Sequence, residues 1–165
     1  MNYHNITKTD MLNGEGLRVV LWCAGCSHRC KDCQNPETWD EFSGLPFDDG
    51  GKQEIFAELE KDYIKGVTFS GGDPLFPQNR QIVGELMQEI HKTYPNKDIW
   101  CYTGYTYEQI KEWPYLKYVD VLVDGPFVPS LKELGLKWVG SSNQRVIDVK
   151  ETLQKGEVCL YVMNN

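Results

Sequence analysis

Cys26, Cys30 and Cys33 form a CxxxCxxC pattern, three thiols within eight residues of a loop that Gly25 introduces. Such a loop can wrap one cuboidal iron-sulfur cluster. Four cysteines are the usual complement of a [4Fe-4S] centre, so three would leave one iron without a protein ligand, open to a substrate or cofactor. A vacant iron suits catalysis better than simple electron carriage. Other readings stay open at this point. The i, i+4, i+7 spacing also marks one face of a helix, which would make these buried structural thiols, although Ser27, His28, Arg29, Lys31 and Asp32 between them are polar. Cys23 completes a set of four and raises a structural zinc site, but such sites separate their cysteine pairs by a long loop. A bacterial ferredoxin pattern ends in Cys-Pro, whereas Gln34 follows Cys33. His28 offers an imidazole, for which a solvated loop position is the simpler expectation.

The second candidate loop is Ser70, Gly71, Gly72, Asp73, Pro74. Two residues without side chains let backbone groups approach a ligand, and Asp73 adds a carboxylate for a cation; the alternative is an ordinary turn. Bulk at Gly72 is therefore expected to impair ligand binding while sparing a cluster on the cysteines. Asp124 before Gly125 has the same two readings, and its place after a strand favours the site.

The elements that must position these loops alternate. Strands are expected at Leu17 to Cys23, Val67 to Ser70, Ile99 to Tyr102, Tyr118 to Val123, Val146 to Val149 and Val158 to Val162. Helices are expected at 51–65, where Ile55, Leu59 and Tyr63 recur at i, i+4, i+8, and from beyond Pro77 to Thr93, where Ile82, Leu86 and Ile90 with Val83 and Met87 form one stripe. Thr106 with Gln109, and Ser130 with Glu133, have capping-box spacing. Cys101 and Cys159 fall in expected strands and are read as core residues. This alternation predicts an α/β fold with a mostly parallel sheet, in which the suspicious loops share the C-terminal strand ends where ligands bind.

The chain has 165 residues, one domain's length, and an eight-fold β/α barrel of about 250 residues would have to be abbreviated to fit. With 17 Lys+Arg against 24 Asp+Glu, a net charge of -7 and no basic tract, nucleic acid is not an expected partner. The polar N-terminus and the lack of an apolar run near 18 residues predict a cytoplasmic protein with no membrane partner. Six cysteines in a reducing cytosol would be thiols available for metal or redox chemistry.

Together these motifs resemble the radical S-adenosylmethionine superfamily: CxxxCxxC after the first expected strand and SGGDP after the second. The resemblance narrows to the activating proteins of anaerobic ribonucleoside-triphosphate reductase, carried by MNYH, NGEGLR at Asn13 to Arg18, AGCSHRCKDCQNPETW at Ala24 to Trp39, SGGDPLFPQN at Ser70 to Asn79, WCYTGYTYE at Trp100 to Glu108, VDVLVDGPF at Val119 to Phe127 and GSSNQRVIDV at Gly140 to Val149. It spans essentially the whole chain, and it implies one radical S-adenosylmethionine domain over 1–165 with an incomplete β/α barrel. It implies a [4Fe-4S] cluster on Cys26, Cys30 and Cys33, and S-adenosylmethionine held at the open iron, with Gly71, Gly72 and Asp73 at its methionine end. Asp32, Cys33 and Gln34 would lie against the cofactor, and Asp124 would help arrange it or a cation. No catalytic side chain beyond cluster and cofactor is implied. The pattern departs from the wider superfamily at Asp32, often aromatic there, and in reading GGD for GGE.

The implied reaction is reductive cleavage of S-adenosylmethionine to methionine and a 5′-deoxyadenosyl radical, which takes hydrogen from a glycine of the partner reductase. The electron must come from a low-potential cluster, and [4Fe-4S] centres reach roughly −700 mV. Flavodoxin is the electron donor the resemblance implies. The alternatives are another small radical S-adenosylmethionine enzyme acting on a small molecule, and a non-enzymatic metal-binding interaction module.

Overall fold

Alternating short apolar runs and amphipathic stretches build a seven-stranded sheet in the computed structural model, which describes residues 1–162. The strands are β1 (Asn2–Asp10), β2 (Arg18–Cys23), β3 (Leu45–Pro46), β4 (Gly66–Gly71), β5 (Asp98–Tyr102), β6 (Val121–Asp124) and β7 (Arg145–Asp148). Their order across the sheet is β3-β1-β2-β4-β5-β6-β7. The run β2, β4, β5, β6 is parallel, while β1, β3 and β7 pair antiparallel. The sheet is open, with β3 and β7 at its edges, so the expected α/β class and incomplete barrel are what the chain adopts.

Helices α1 (Asp49–Leu59), α2 (Arg80–Thr93), α3 (Tyr107–Ile110) and α4 (Val149–Lys155) complete the fold. Because side chains alternate along a strand, each strand feeds two cores. Val19, Leu21, Phe69, Ile99, Cys101 and Leu122 pack with α1 and α2 residues such as Ile55, Leu59, Met87 and Ile90. The opposite face carries Trp100, Val121 and Val123, against which Tyr102, Trp138 and Tyr161 pack. Among the described residues, no helix is long and apolar enough to cross a membrane.

Several boundaries differ from expectation. Strand β1 was not foreseen: only Ile6 of NYHNITKTD is buried, so an apolar alternation is missing. Helix α1 begins earlier and stops at Leu59, because Asp48 caps it by accepting from Gly51 N at 3.2 Å and a turn through Lys61 then delivers Ile64, not Tyr63, to the core. In α2 the stripe holds except at Ile82, which is exposed. Gln109 Oε1 accepts from Thr106 N at 2.9 Å, the expected cap of α3. Ser130 starts no α-helix; Pro129–Leu131 is one 3-10 turn between proline and glycine breakers. Val149 begins α4 rather than ending a strand, with Asp148 accepting from Glu151 N at 3.0 Å and Gly156 closing the helix at φ +74. The expected strand Val158 to Val162 is a single bridge, Leu160 to Ile147. Cys159 is therefore half-buried in irregular chain and is not a core strand residue.

At the N-terminal strand ends a fully buried arginine braces the concave face. Arg18 donates to Thr68 Oγ1 at 2.8 Å and to Val67 O at 2.9 Å, pairs with Asp98 at 2.5 Å, and lies 5.3 Å over the Trp100 ring. Removing one partner strands the others, so Arg18→Met is expected to cost about 3 kcal/mol of stability. A urea titration reads this as a lowered midpoint at unchanged slope. A loss under about 1 kcal/mol would class the pair with solvent-screened surface bridges.

Candidate active site

Strand register brings the two candidate loops side by side. Cys23 at the end of β2 pairs with Gly71 at the end of β4, so the cysteine loop and the glycine turn leave adjacent strands at the same height. The cysteine loop is then tied on both flanks. Gly25 N donates to Thr38 O at 2.7 Å and Cys26 N to Trp39 O at 3.1 Å, while Asp73 N donates to Gly25 O at 2.8 Å and Asn79 Nδ2 to Ala24 O at 2.8 Å. Arg29 and Asp32 turn through left-handed backbone, at φ 48 and 58, which coils the loop tightly.

A cavity of about 500 Å³ opens where these loops meet. Cys26, Cys30, Cys33, Gln34, Gly71 and Gly72 all line it, with Tyr102 and Trp138 on the concave side. Cys26 is 9% exposed. Burial pushes its thiol up to about 11, partly offset by backbone hydrogen bonds from His28 and Arg29. At neutral pH the metal-free thiol therefore keeps its proton, and a metal must displace it. Cys23 and Cys101 are fully buried in the helix-side core, and burial raises both thiols further.

The spread of the ligand atoms discriminates among metals. Among the described residues, the one group of three metal-ligating atoms within 4.8 Å of one another is Cys26, His28 and Asp73. Among the described residues the three loop thiols form no such group, which a single zinc at about 2.3 Å from each sulfur would require, whereas a cuboidal cluster gives each thiolate its own iron. Cys23 is buried in the helix-side core and does not line the cavity. The donor set fits a cluster.

Three acidic residues expected at the cofactor do not line the cavity with their side chains. Asp32 is exposed on the loop and does not line the cavity. Asp73 is 1% exposed, and its carboxylate meets His28 Nε2 at 2.6 Å and accepts from Thr103 Oγ1 and Gly104 N at 3.0 Å and from Leu75 N at 2.8 Å. Asp124, also 1% exposed, accepts from Tyr107 N at 2.8 Å and from Arg145 at 2.6 Å and 3.1 Å. Hydrogen bonds that Arg145 donates to Asp124 and Glu108 raise its guanidinium further above the usual range. Both carboxylates brace strand ends from below the cavity.

One residue here differs from its expectation, and two aromatic residues were not singled out as site residues. His28 is not a solvated loop residue: its side chain is 17% exposed and paired to Asp73. Tyr102 and Trp39 line the cavity, and the Tyr102 hydroxyl and Trp39 indole N-H are buried without a hydrogen-bond partner among the described residues. Burial raises the Tyr102 phenol. An aromatic residue at a strand end such as Tyr102 reads as core, and Trp39 follows a short 3-10 turn in the irregular stretch, so no local signal distinguished them. The glycine expectation also changes. A Cβ on Gly72 would come within 2.7 Å of Gly25 O and of Thr38 O, both holding the cysteine loop, so bulk there is now expected to disturb the cluster loop as well.

Residues 12–147 match the family described as 4Fe-4S single cluster domain. The chain is 45% identical over 146 residues to the anaerobic ribonucleoside-triphosphate reductase-activating protein of Enterobacteria phage T4, covering 88% of this chain and 93% of that protein. It is 43% identical over 150 residues to the protein of the same description from Escherichia coli, covering 88% and 97%. For that of Haemophilus influenzae the figures are 41% over 148 residues, 87% and 96%.

Proposed function

The chain belongs to the family of anaerobic ribonucleoside-triphosphate reductase-activating proteins, and from that premise we propose that it installs a radical on a glycine of its reductase. The observation that carries the reading is the shared cavity: three loop cysteines and a side-chain-free turn face one space at the ends of adjacent parallel strands. Cys26, Cys30 and Cys33 would hold a [4Fe-4S] cluster, and Gly71 and Gly72 with the backbone of Asp32 to Gln34 would hold S-adenosylmethionine. The chemistry these groups would supply when bound is one-electron cleavage of the sulfonium to methionine and a 5′-deoxyadenosyl radical able to take one hydrogen atom from the glycine Cα.

The chain's own residues position and exclude. Asp73 and Asp124 hold the strand-end loops that form the cavity walls. Val123, Phe127 and Trp138 give the cavity an apolar wall, which would keep water from the hydrogen transfer. A sheet open at both edges admits a polypeptide segment. The whole chain acts as one radical S-adenosylmethionine domain in the cytoplasm, with a flavodoxin-like donor supplying the electron. Its charge of -7 offers nothing to nucleic acid.

Hydrogen transfer is testable directly. With reductant, S-adenosylmethionine and a reductase deuterated at glycine Cα, 5′-deoxyadenosine is expected to acquire deuterium, and the radical signal to lose its α-hydrogen splitting. Unlabelled deoxyadenosine formed while the reductase radical appears, with solvent exchange excluded, would refute direct abstraction.

A further inference from the structure

We propose that His28 and Asp73 form a latch that holds the cysteine loop in register with the glycine turn, making His28 a positioning residue for cluster and cofactor. The proposal rests on the assignment of the cluster to Cys26, Cys30 and Cys33. Ser27, Arg29, Lys31 and Asp32 around it are exposed, as a strand-end loop should be. His28 alone among these neighbours turns inward, and its Nε2 lies 2.6 Å from Asp73 Oδ2. An ionised carboxylate only accepts, so the imidazole donates through Nε2.

Asp73 follows Gly72 directly, and its carboxylate joins three strand-end loops. Oδ2 takes His28 from the loop after β2 and Thr103 Oγ1 and Gly104 N from the loop after β5, while Oδ1 takes Leu75 N in its own turn. Four donors reach the carboxylate, three on Oδ2 and one on Oδ1, and at 1% exposure it is enclosed by the protein. Asp73 acts on the cofactor through the loops it fixes. The imidazole also fills a shaped slot. It meets Tyr105 edge to face at a centroid distance of 4.4 Å, and a Cβ on Gly104 would come within 2.5 Å of its Cδ2. Arg80 backs Tyr105 from 4.8 Å. With His28 between Cys26 and Cys30, any rotation of the loop that moves the cysteines relative to Gly71 and Gly72 must first break this contact.

The test uses the full chain, both metal-free and anaerobically reconstituted. Three quantities are read: iron and sulfide content, the S-adenosylmethionine dissociation constant from the change in the reduced cluster's electron paramagnetic resonance spectrum, and amide exchange over residues 26–33 without metal. His28→Ala is expected to keep iron near the parent level, to bind S-adenosylmethionine about tenfold more weakly, as loss of one charge-assisted hydrogen bond implies, and to exchange faster over 26–33 and at Gly104. His28→Gln, whose amide can donate to Asp73, should recover most of the affinity. Asp73→Asn should weaken binding in the parent but add little in the His28→Ala background, since coupled residues are not additive. Unchanged affinity and exchange in His28→Ala would overturn the latch. So would full additivity of the two substitutions, which would put Asp73 on the cofactor itself. If the parent chain takes up no cluster, the cluster assignment fails, and the exchange comparison alone decides the latch.

Discussion

Replacing Cys26, Cys30 or Cys33 singly with alanine is expected to reduce cluster iron and activity to background, while Cys23→Ala and Cys101→Ala keep iron at the parent level. All three loop thiols line the cavity, whereas Cys23 and Cys101 are 0% exposed in the helix-side core. On this assignment each loop cysteine would serve a different iron and no neighbour could substitute: Cys23 is buried in the helix-side core, and Cys159 lies after α4 in irregular chain. Cys23→Ala and Cys101→Ala remove a packed sulfur and should cost only about 1 kcal/mol or somewhat more. Iron and sulfide analysis after anaerobic reconstitution, with a thermal melt of each metal-free variant, separates loss of a ligand from loss of the fold. Full iron retention in Cys30→Ala, or loss of iron in a well-folded Cys23→Ala, would defeat the assignment.

The parts legible in the sequence were those whose signal is local. Short apolar strands ending in glycine announce themselves, and so does the CxxxCxxC spacing; β2, β4 and β5 and their loops lie where these signals put them, whereas β6 begins at Val121 and not at Tyr118, because Leu116–Tyr118 closes a 3-10 turn. Strand β1 escaped because pairing with β2, not its own alternation, holds it. Helix α4 escaped although Asp148 and Glu151 had capping spacing and Gly156 a stop, because seven residues give too little periodicity to outweigh a valine-rich run. Val158 to Val162 read as a strand on composition alone, but Leu160 and Val162 are 61% and 80% exposed and one bridge is all that forms. In the site, residue types were readable and their commitments were not. Asp73 reads as a free carboxylate until Thr103, Gly104 and His28 are seen to converge on it from 30 and more residues away. Long-range pairing of that kind leaves no trace in local spacing.

Gly72→Ala is expected to lose cluster and cofactor binding together, and Gly72→Val more completely. Its missing side chain is space already occupied: Gly25 O and Thr38 O each lie 2.7 Å from where a Cβ would sit. Both are backbone, and the two residues are bonded to each other, Gly25 N to Thr38 O at 2.7 Å, so neither can yield alone. Moving them displaces Cys26, the next residue. Overpacking of this kind costs about 1–3 kcal/mol, and here the strain falls on the cysteine loop rather than on the core. Gly71 is stricter still, with φ +109 and a Cβ position 2.4 Å from Cys23 N and O. Gly135 supplies the control: it has φ +83 but nothing within 4 Å, so Gly135→Ala should cost roughly 1 kcal/mol of backbone strain and leave iron content unchanged. Iron content, S-adenosylmethionine affinity and amide exchange over residues 24–33 check the set. A Gly72→Ala chain that binds a full cluster but not S-adenosylmethionine would mean that the cysteine loop absorbs the clash, and that Gly72 serves the cofactor alone.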